Sequence, residues 1–154
     1  MSKTEEKLTA LGLKLPEPPA KGGLYVSAKT FGGKFVYISG CGPSTDGTPI
    51  TGKLGGGVSV EQGAVYARDS MLNMLAVLKR EIGDLDRVKS AVKVTCFVAS
   101  TPDFGQQPQV ANGGTQLLID VFGPEIGTPT RSAVGMVALP GDMPVETEGL
   151  FEID

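Results

Sequence analysis

The spacing of apolar positions changes repeatedly along this chain, and each change marks an element. Leu8, Leu11 and Leu13 give residues 2–12 a weak helical stripe that Gly12 stops. Leu15-Pro16-Glu17-Pro18-Pro19 then forces an extended connection. A hairpin is predicted from Leu24-Tyr25-Val26-Ser27-Ala28 to Lys34-Phe35-Val36-Tyr37-Ile38-Ser39, turning at Phe31-Gly32-Gly33. From Gly40 to Val58 glycine dominates, which reads as a flexible surface loop. Ser59 with Gln62 reads as a capping box. Behind it Val60, Ala64, Ala67, Met71, Leu75, Leu78 and Ile82 recur at steps of three and four, as one face of a long helix that Gly83-Asp84 ends. Val92, Val94, Cys96 and Val98 alternate with more polar positions, as in a strand from Ser90 to Ala99. A second helix starts at Gln107 or Asn112, carries Leu117, Leu118, Val121 and Phe122, and stops at Gly123-Pro124. Two strands close the pattern: one entered by Arg131, the other carrying Glu146 after a Leu139-Pro140-Gly141 turn.

This order, a helical arm followed by strand, strand, long helix, strand, helix, strand, strand, predicts an α+β fold with one sheet and two helices on one face. The other sheet face carries Phe97 and alternate hairpin residues, and burial against a second copy of the chain would cover it. A chain of 154 residues suits one domain with its own core. Its apolar runs are too short to span a membrane. The charged opening Met1-Ser2-Lys3-Thr4-Glu5-Glu6-Lys7 lacks the apolar centre of a secretory signal, so the default expectation is a cytoplasmic protein.

Charge and residue inventory narrow the chemistry. The net charge of −3 and the absence of a Lys/Arg cluster argue against a broad grip on nucleic acid. With no histidine, the usual general base and the commonest metal ligand are both missing, which removes most zinc-hydrolase and Ser/His/Asp readings. Cys41 and Cys96 lack zinc-site spacing; they read as reduced thiols, with Cys96 as a core residue. The run Thr51-Gly52-Lys53-Leu54-Gly55-Gly56-Gly57 lacks the Gly-Lys-Ser/Thr ending of a phosphate loop. What remains is Arg131, whose planar fork can hold a carboxylate, and Glu146 beyond the turn. A plain ion pair from Arg131 to Glu146 or Glu148 is the competing explanation.

Several blocks resemble the YjgF/Rid proteins, the reactive intermediate deaminases, older members of which carry the names L-PSP endoribonuclease and translation inhibitor. The blocks are Gly23-Leu24-Tyr25-Val26, Ile38-Ser39-Gly40, Leu72-Asn73 and Val92-Lys93-Val94-Thr95-Cys96-Phe97-Val98. The most specific is the last, Pro129-Thr130-Arg131-Ser132-Ala133-Val134 with Leu139-Pro140 and Val145-Glu146-Thr147-Glu148. The resemblance runs from about Gly23 to the end and marks residues 23–154 as one domain; the helical arm over residues 1–22 precedes it and is longer than the usual family start. The resemblance implies a chorismate-mutase-like α+β fold of the bacillus type, a homotrimer, and clefts between subunits.

The implied activity is cofactor-independent hydrolysis of imines or enamines, such as 2-aminoacrylate, to 2-oxo acids and ammonia. On that resemblance Arg131 binds the substrate carboxylate and Glu146 positions or activates water. Tyr25 and Ser39 match cleft-lining positions, and Thr115 falls near a position where many active members carry asparagine. An iminium carbon is already electrophilic, so orientation and one water-handling carboxylate suffice without histidine. Two alternatives stay open: a non-catalytic module that binds a small carboxylate metabolite, and the RNA cleavage of the older name.

Overall fold

The computed structural model describes Met1–Asp154. Helix α1 spans Lys3–Ala10, strand β1 Ala28–Phe31, β2 Phe35–Cys41, β3 Lys53–Leu54, β4 Gly57–Val58 and helix α2 Val60–Ile82. They are followed by β5 Val88–Ala99, α3 Gln107–Phe122, the short α4 Pro124–Gly127, β6 Thr130–Met136 and β7 Val145–Ile153. The main sheet has the order β1-β2-β7-β5-β6. All its pairs are antiparallel except β5 with β6, whose parallel pairing requires a crossover, supplied by α3 and α4. This is the expected α+β sheet with helices on one face.

Strand alternation decides what each face carries. Val94, Cys96 and Val98 of β5, Val36 and Ile38 of β2, and Val145, Thr147, Phe151 and Ile153 of β7 point at α2 and α3 and are buried. Their alternates, including Tyr37, Lys93, Phe97, Glu146, Glu148 and Leu150, form an open face on which no helix of this chain lies. Helix α2 is buried almost all round from Ser70 to Leu78, because the sheet lies beneath it, α3 packs beside it, and the chain at Gly42 and Ser44 is bound to its Asn73. The two helices approach so closely that a Cβ on Gly113 would lie 1.9 Å from the Ala64 carbonyl oxygen. Only a glycine fits at that crossing.

Three local readings of the sequence are corrected. The first hairpin arm is Ala28–Phe31, not Leu24–Ala28: Leu24 is fully exposed, and the preceding segment is tied to β2 only through Ser39 N–H to Ser27 O (2.9 Å) and Ser39 Oγ to Val26 O (2.9 Å). The glycine-rich segment is anchored rather than free: Asn73 Nδ2 donates to the Gly42 and Ser44 carbonyls, Gly52 N–H donates to Asp142 O, and Leu54, fully buried in the smaller core with Ala67, Val98 and Val110, accepts a hydrogen bond at its carbonyl from Thr101 N–H. Burying that side chain stabilises the segment by about 1.5–3 kcal/mol. At α2, Ser59 Oγ accepts from Gln62 N–H (3.1 Å), a simple N-cap. The full capping box belongs to α1, where Ser2 and Glu5 exchange hydrogen bonds.

The arm is packed into the domain. Leu8 joins the main core, and the α1 amides of Lys3 and Thr4 donate to Asp86, as does the Thr4 hydroxyl (2.8 Å). Lys79 pairs with Glu5 beside them. Burial tends to raise the Asp86 pKa, but the bonds from Thr4 and Lys3 outweigh it and hold the carboxyl below its ordinary value.

Candidate functional site

Residues flagged in the sequence fall into two groups, one on each side of the sheet. On the open side Tyr25, Ser39, Gly40 and Glu146 line a hollow of about 570 Å³, together with Glu148, Cys41 and Met143. A register irregularity between Ile38 and Cys41 in β2 opens this hollow. It leaves Gly40 facing Glu146, where a Cβ would lie 2.3 Å from Oε1. The Glu146 carboxylate therefore occupies the space that a side chain at position 40 would need. Ser39 spends its hydroxyl hydrogen on Val26 O and keeps its lone pairs free, while the Tyr25 hydroxyl accepts from Gly22 N–H (2.8 Å).

Two carboxylates, Glu146 and Glu148, and one cation, Lys21, line the hollow. Burial raises the Glu146 pKa above the ordinary carboxylate value, and the charge of Glu148, two residues along the same strand face, adds to the rise. Glu148 in turn accepts from the Tyr37 hydroxyl (3.3 Å), and burial together with that carboxylate raises the Tyr37 pKa. Cys41 is no nucleophile here: burial, aided by Glu146, pushes its thiol up to about 12. Burial likewise pushes Cys96 up to about 11, in keeping with a core residue. No three His, Cys, Asp or Glu side chains gather as a metal-binding group.

Arg131 and Thr115 lie on the other side. Arg131 pairs in register with Val94, a helix-facing residue, and its guanidinium reaches α3. Nη1 donates to Asn112 Oδ1 (2.8 Å) and Thr115 Oγ1 (3.1 Å), and Nη2 to the Pro108 carbonyl (3.4 Å). The ion pair to Glu146 or Glu148 is not formed; the partners are neutral oxygens. One chain thus brings Tyr25, Ser39 and Glu146 together, and Arg131 and Thr115 together, but the two groups stay on opposite faces of the sheet. Asn112 was visible in the sequence only as a possible helix start. The signal for its role is the spacing Pro108, Asn112, Thr115, which puts all three on one helix face below Arg131.

No helix is long and apolar enough to cross a membrane. Among curated proteins the chain is similar to Protein TCP17 of Trypanosoma cruzi, 40% identical over 148 residues that cover 96% of this chain and 92% of that one. Among solved structures it resembles Atu1372 of Agrobacterium tumefaciens, 36% identical with a TM-score of 0.90, covering 99% and 93% of the two chains. It also resembles a Shewanella oneidensis protein described as a candidate endoribonuclease, 27% identical with a TM-score of 0.94, covering 99% and 100%. The profile of the family described as Endoribonuclease L-PSP matches residues 16–153, so the chain belongs to that family, the YjgF/Rid proteins.

Proposed function

We propose that this protein hydrolyses imine or enamine intermediates bearing a carboxylate, of the 2-aminoacrylate kind, to 2-oxo acids and ammonia, in a cleft shared between copies of the chain in a homotrimer. The observation that carries the reading is the placement of Arg131 and Glu146 on opposite faces of one sheet. β5 lies between their two strands, about 9–10 Å of sheet, and the sheet itself separates the two side chains, so one small substrate cannot bridge them within one chain. A second copy laid against the open face would bring its own Arg131 to the Glu146 hollow. Tyr37, Val134 and Met136 support this, since all are exposed apolar side chains on that face.

In that cleft Arg131 holds the substrate carboxylate, and Glu146 handles the water. An enamine first takes a proton from water at its terminal carbon to become the iminium ion. Water oxygen then bonds to the iminium carbon as the C=N pair moves to nitrogen, and Glu146 accepts one of the water protons. That proton passes to nitrogen, the C–N bond breaks and ammonia leaves, while the remaining hydroxyl proton is released to water as the C=O of the 2-oxo acid forms. A carboxylate whose pKa is raised serves both halves of this exchange better than an ordinary one near neutral pH. The family's descriptive name points to RNA cleavage, but the hollow carries a pair of carboxylates and the chain a net charge of −3, which offers no cationic track.

The test is complementation. Arg131→Ala and Glu146→Gln are each inactive alone on enamine generated in situ. After subunit exchange of a one-to-one mixture, roughly one cleft in four receives both intact residues by random assembly in a closed ring. Recovery of that fraction of wild-type activity is expected. A mixture as inactive as its parents overturns the shared cleft. Wild-type protein that binds a 2-oxo acid but turns over no imine supports the binding module instead.

A further inference from the structure

The guanidinium of Arg131 has no acidic partner in this chain, yet most of its donors are committed. Both Nη1 hydrogens are taken by Asn112 Oδ1 and Thr115 Oγ1, and one Nη2 hydrogen points at the Pro108 carbonyl. The Thr115 hydroxyl donates its own hydrogen to Ala111 O (3.4 Å), so towards Arg131 it acts as an acceptor. What stays free is the Nε–H and the second Nη2–H, two parallel donors on one edge of the fork. We infer that Asn112 and Thr115 are positioning residues that lock the Arg131 guanidinium against α3, so that it presents only its Nε/Nη2 edge, side-on, to a planar carboxylate. This rests on the reading of Arg131 as the carboxylate site.

Two features of the clamp fit that role. Its oxygens are neutral, so they fix the plane of the fork without cancelling its charge; a carboxylate in their place would compete with the ligand. They also come from one helix face, on a helix that packs both against α2 and directly on β5 and β6, which makes them a rigid support. An arginine left free would lose rotamer entropy on binding, and the clamp removes part of that cost in advance.

The experiment combines guanidinium ¹⁵N NMR with pyruvate binding and imine-turnover kinetics on the full chain, with Arg131 assigned by substitution to lysine. Wild type is expected to show separate, slowly exchanging Nη signals that merge in Asn112→Ala and Thr115→Val. In those variants KM should rise about tenfold, as for a weakened charge-assisted hydrogen bond, with kcat much less affected. Thr115→Ser should restore both readouts. Asn112→Asp should keep the separate signals but raise KM, because its charge occupies the fork. Gln116→Ala, on the exposed side of the same helix, should change neither. Freely rotating Nη groups in wild type, or alanine and valine variants that retain both the separate signals and wild-type KM, would overturn the clamp. Separate wild-type signals without pyruvate binding or turnover would uphold the clamp and remove the carboxylate reading of the site instead.

Discussion

Gly40→Ala tests the hollow with the smallest possible change. Gly40 does not have a left-handed backbone, so alanine brings no strain of its own, only a methyl group. That methyl would lie 2.3 Å from Glu146 Oε1, 2.6 Å from Cδ and 2.9 Å from Cγ. Ordinary contact begins at 3.4 Å, so the carboxylate must retreat by about 1 Å. The clashing atoms are the far end of a flexible side chain, so the fold yields cheaply, at the low end of the about 1–3 kcal/mol typical of overpacking. Catalysis is less forgiving: a displacement of about 1 Å can cost on the order of a hundredfold in rate. The expected result is kcat/KM for imine hydrolysis reduced about a hundredfold in a protein whose urea unfolding midpoint moves little. Gly105→Ala is the control, since a methyl there meets nothing within 4 Å and the residue does not line the hollow. Wild-type turnover in Gly40→Ala would mean that Glu146 does not handle the water.

Three further outcomes follow from the same structure. Glu148→Gln removes the charge that adds to the rise in the Glu146 pKa, so the acid limb of the kcat/KM profile should move to lower pH; an unmoved limb would show that Glu146 titration does not govern the rate. Leu8→Ala should cost about 2–5 kcal/mol in urea unfolding, the loss expected for a fully buried leucine, whereas a loss near zero would mean that α1 is not part of the core. The folded Asp86 carboxyl sits below its unfolded value, so its contribution to docking α1 is complete above roughly pH 4 and is lost as pH falls through the folded pKa. Hydrogen exchange of the α1 amides should therefore speed up first on acidification, and Asp86→Asn should abolish that pH dependence.

The elements with a sustained period were legible in the sequence. The three-and-four spacing from Val60 to Ile82 and the alternation from Val92 to Val98 correspond to α2 and β5, because burial on one face writes a period into the chain. The first hairpin arm misled because Leu24, Tyr25 and Val26 have the composition of a strand, yet lie outside the ladder. Leu54 could not announce itself, since one apolar residue among glycines has no period. The most instructive case is β6. Its larger apolar residues, Val134 and Met136, lie on the open face, and Arg131, Ala133 and Gly135 on the helix side. Alternation separated the two sets but not their direction, because the larger apolar residues of this strand do not lie on its helix-facing side. Arg131 could therefore be chosen by its chemistry while its separation from Glu146 stayed hidden.

The place of β7 in the sheet also governs how the protein can be made. It is the last strand in sequence, yet it sits between β2 and β5, pairing with residues more than a hundred positions upstream in β2. Until residues 145–153 are available, the β1-β2 hairpin and the β5-β6 pair have no common neighbour, and α2 has no complete floor to lie on. Such a topology postpones its most distant contacts, which slows folding and leaves strand edges open meanwhile. The strand that joins the two half-sheets last is also the one that delivers Glu146, so the hollow around it is completed only when the sheet is.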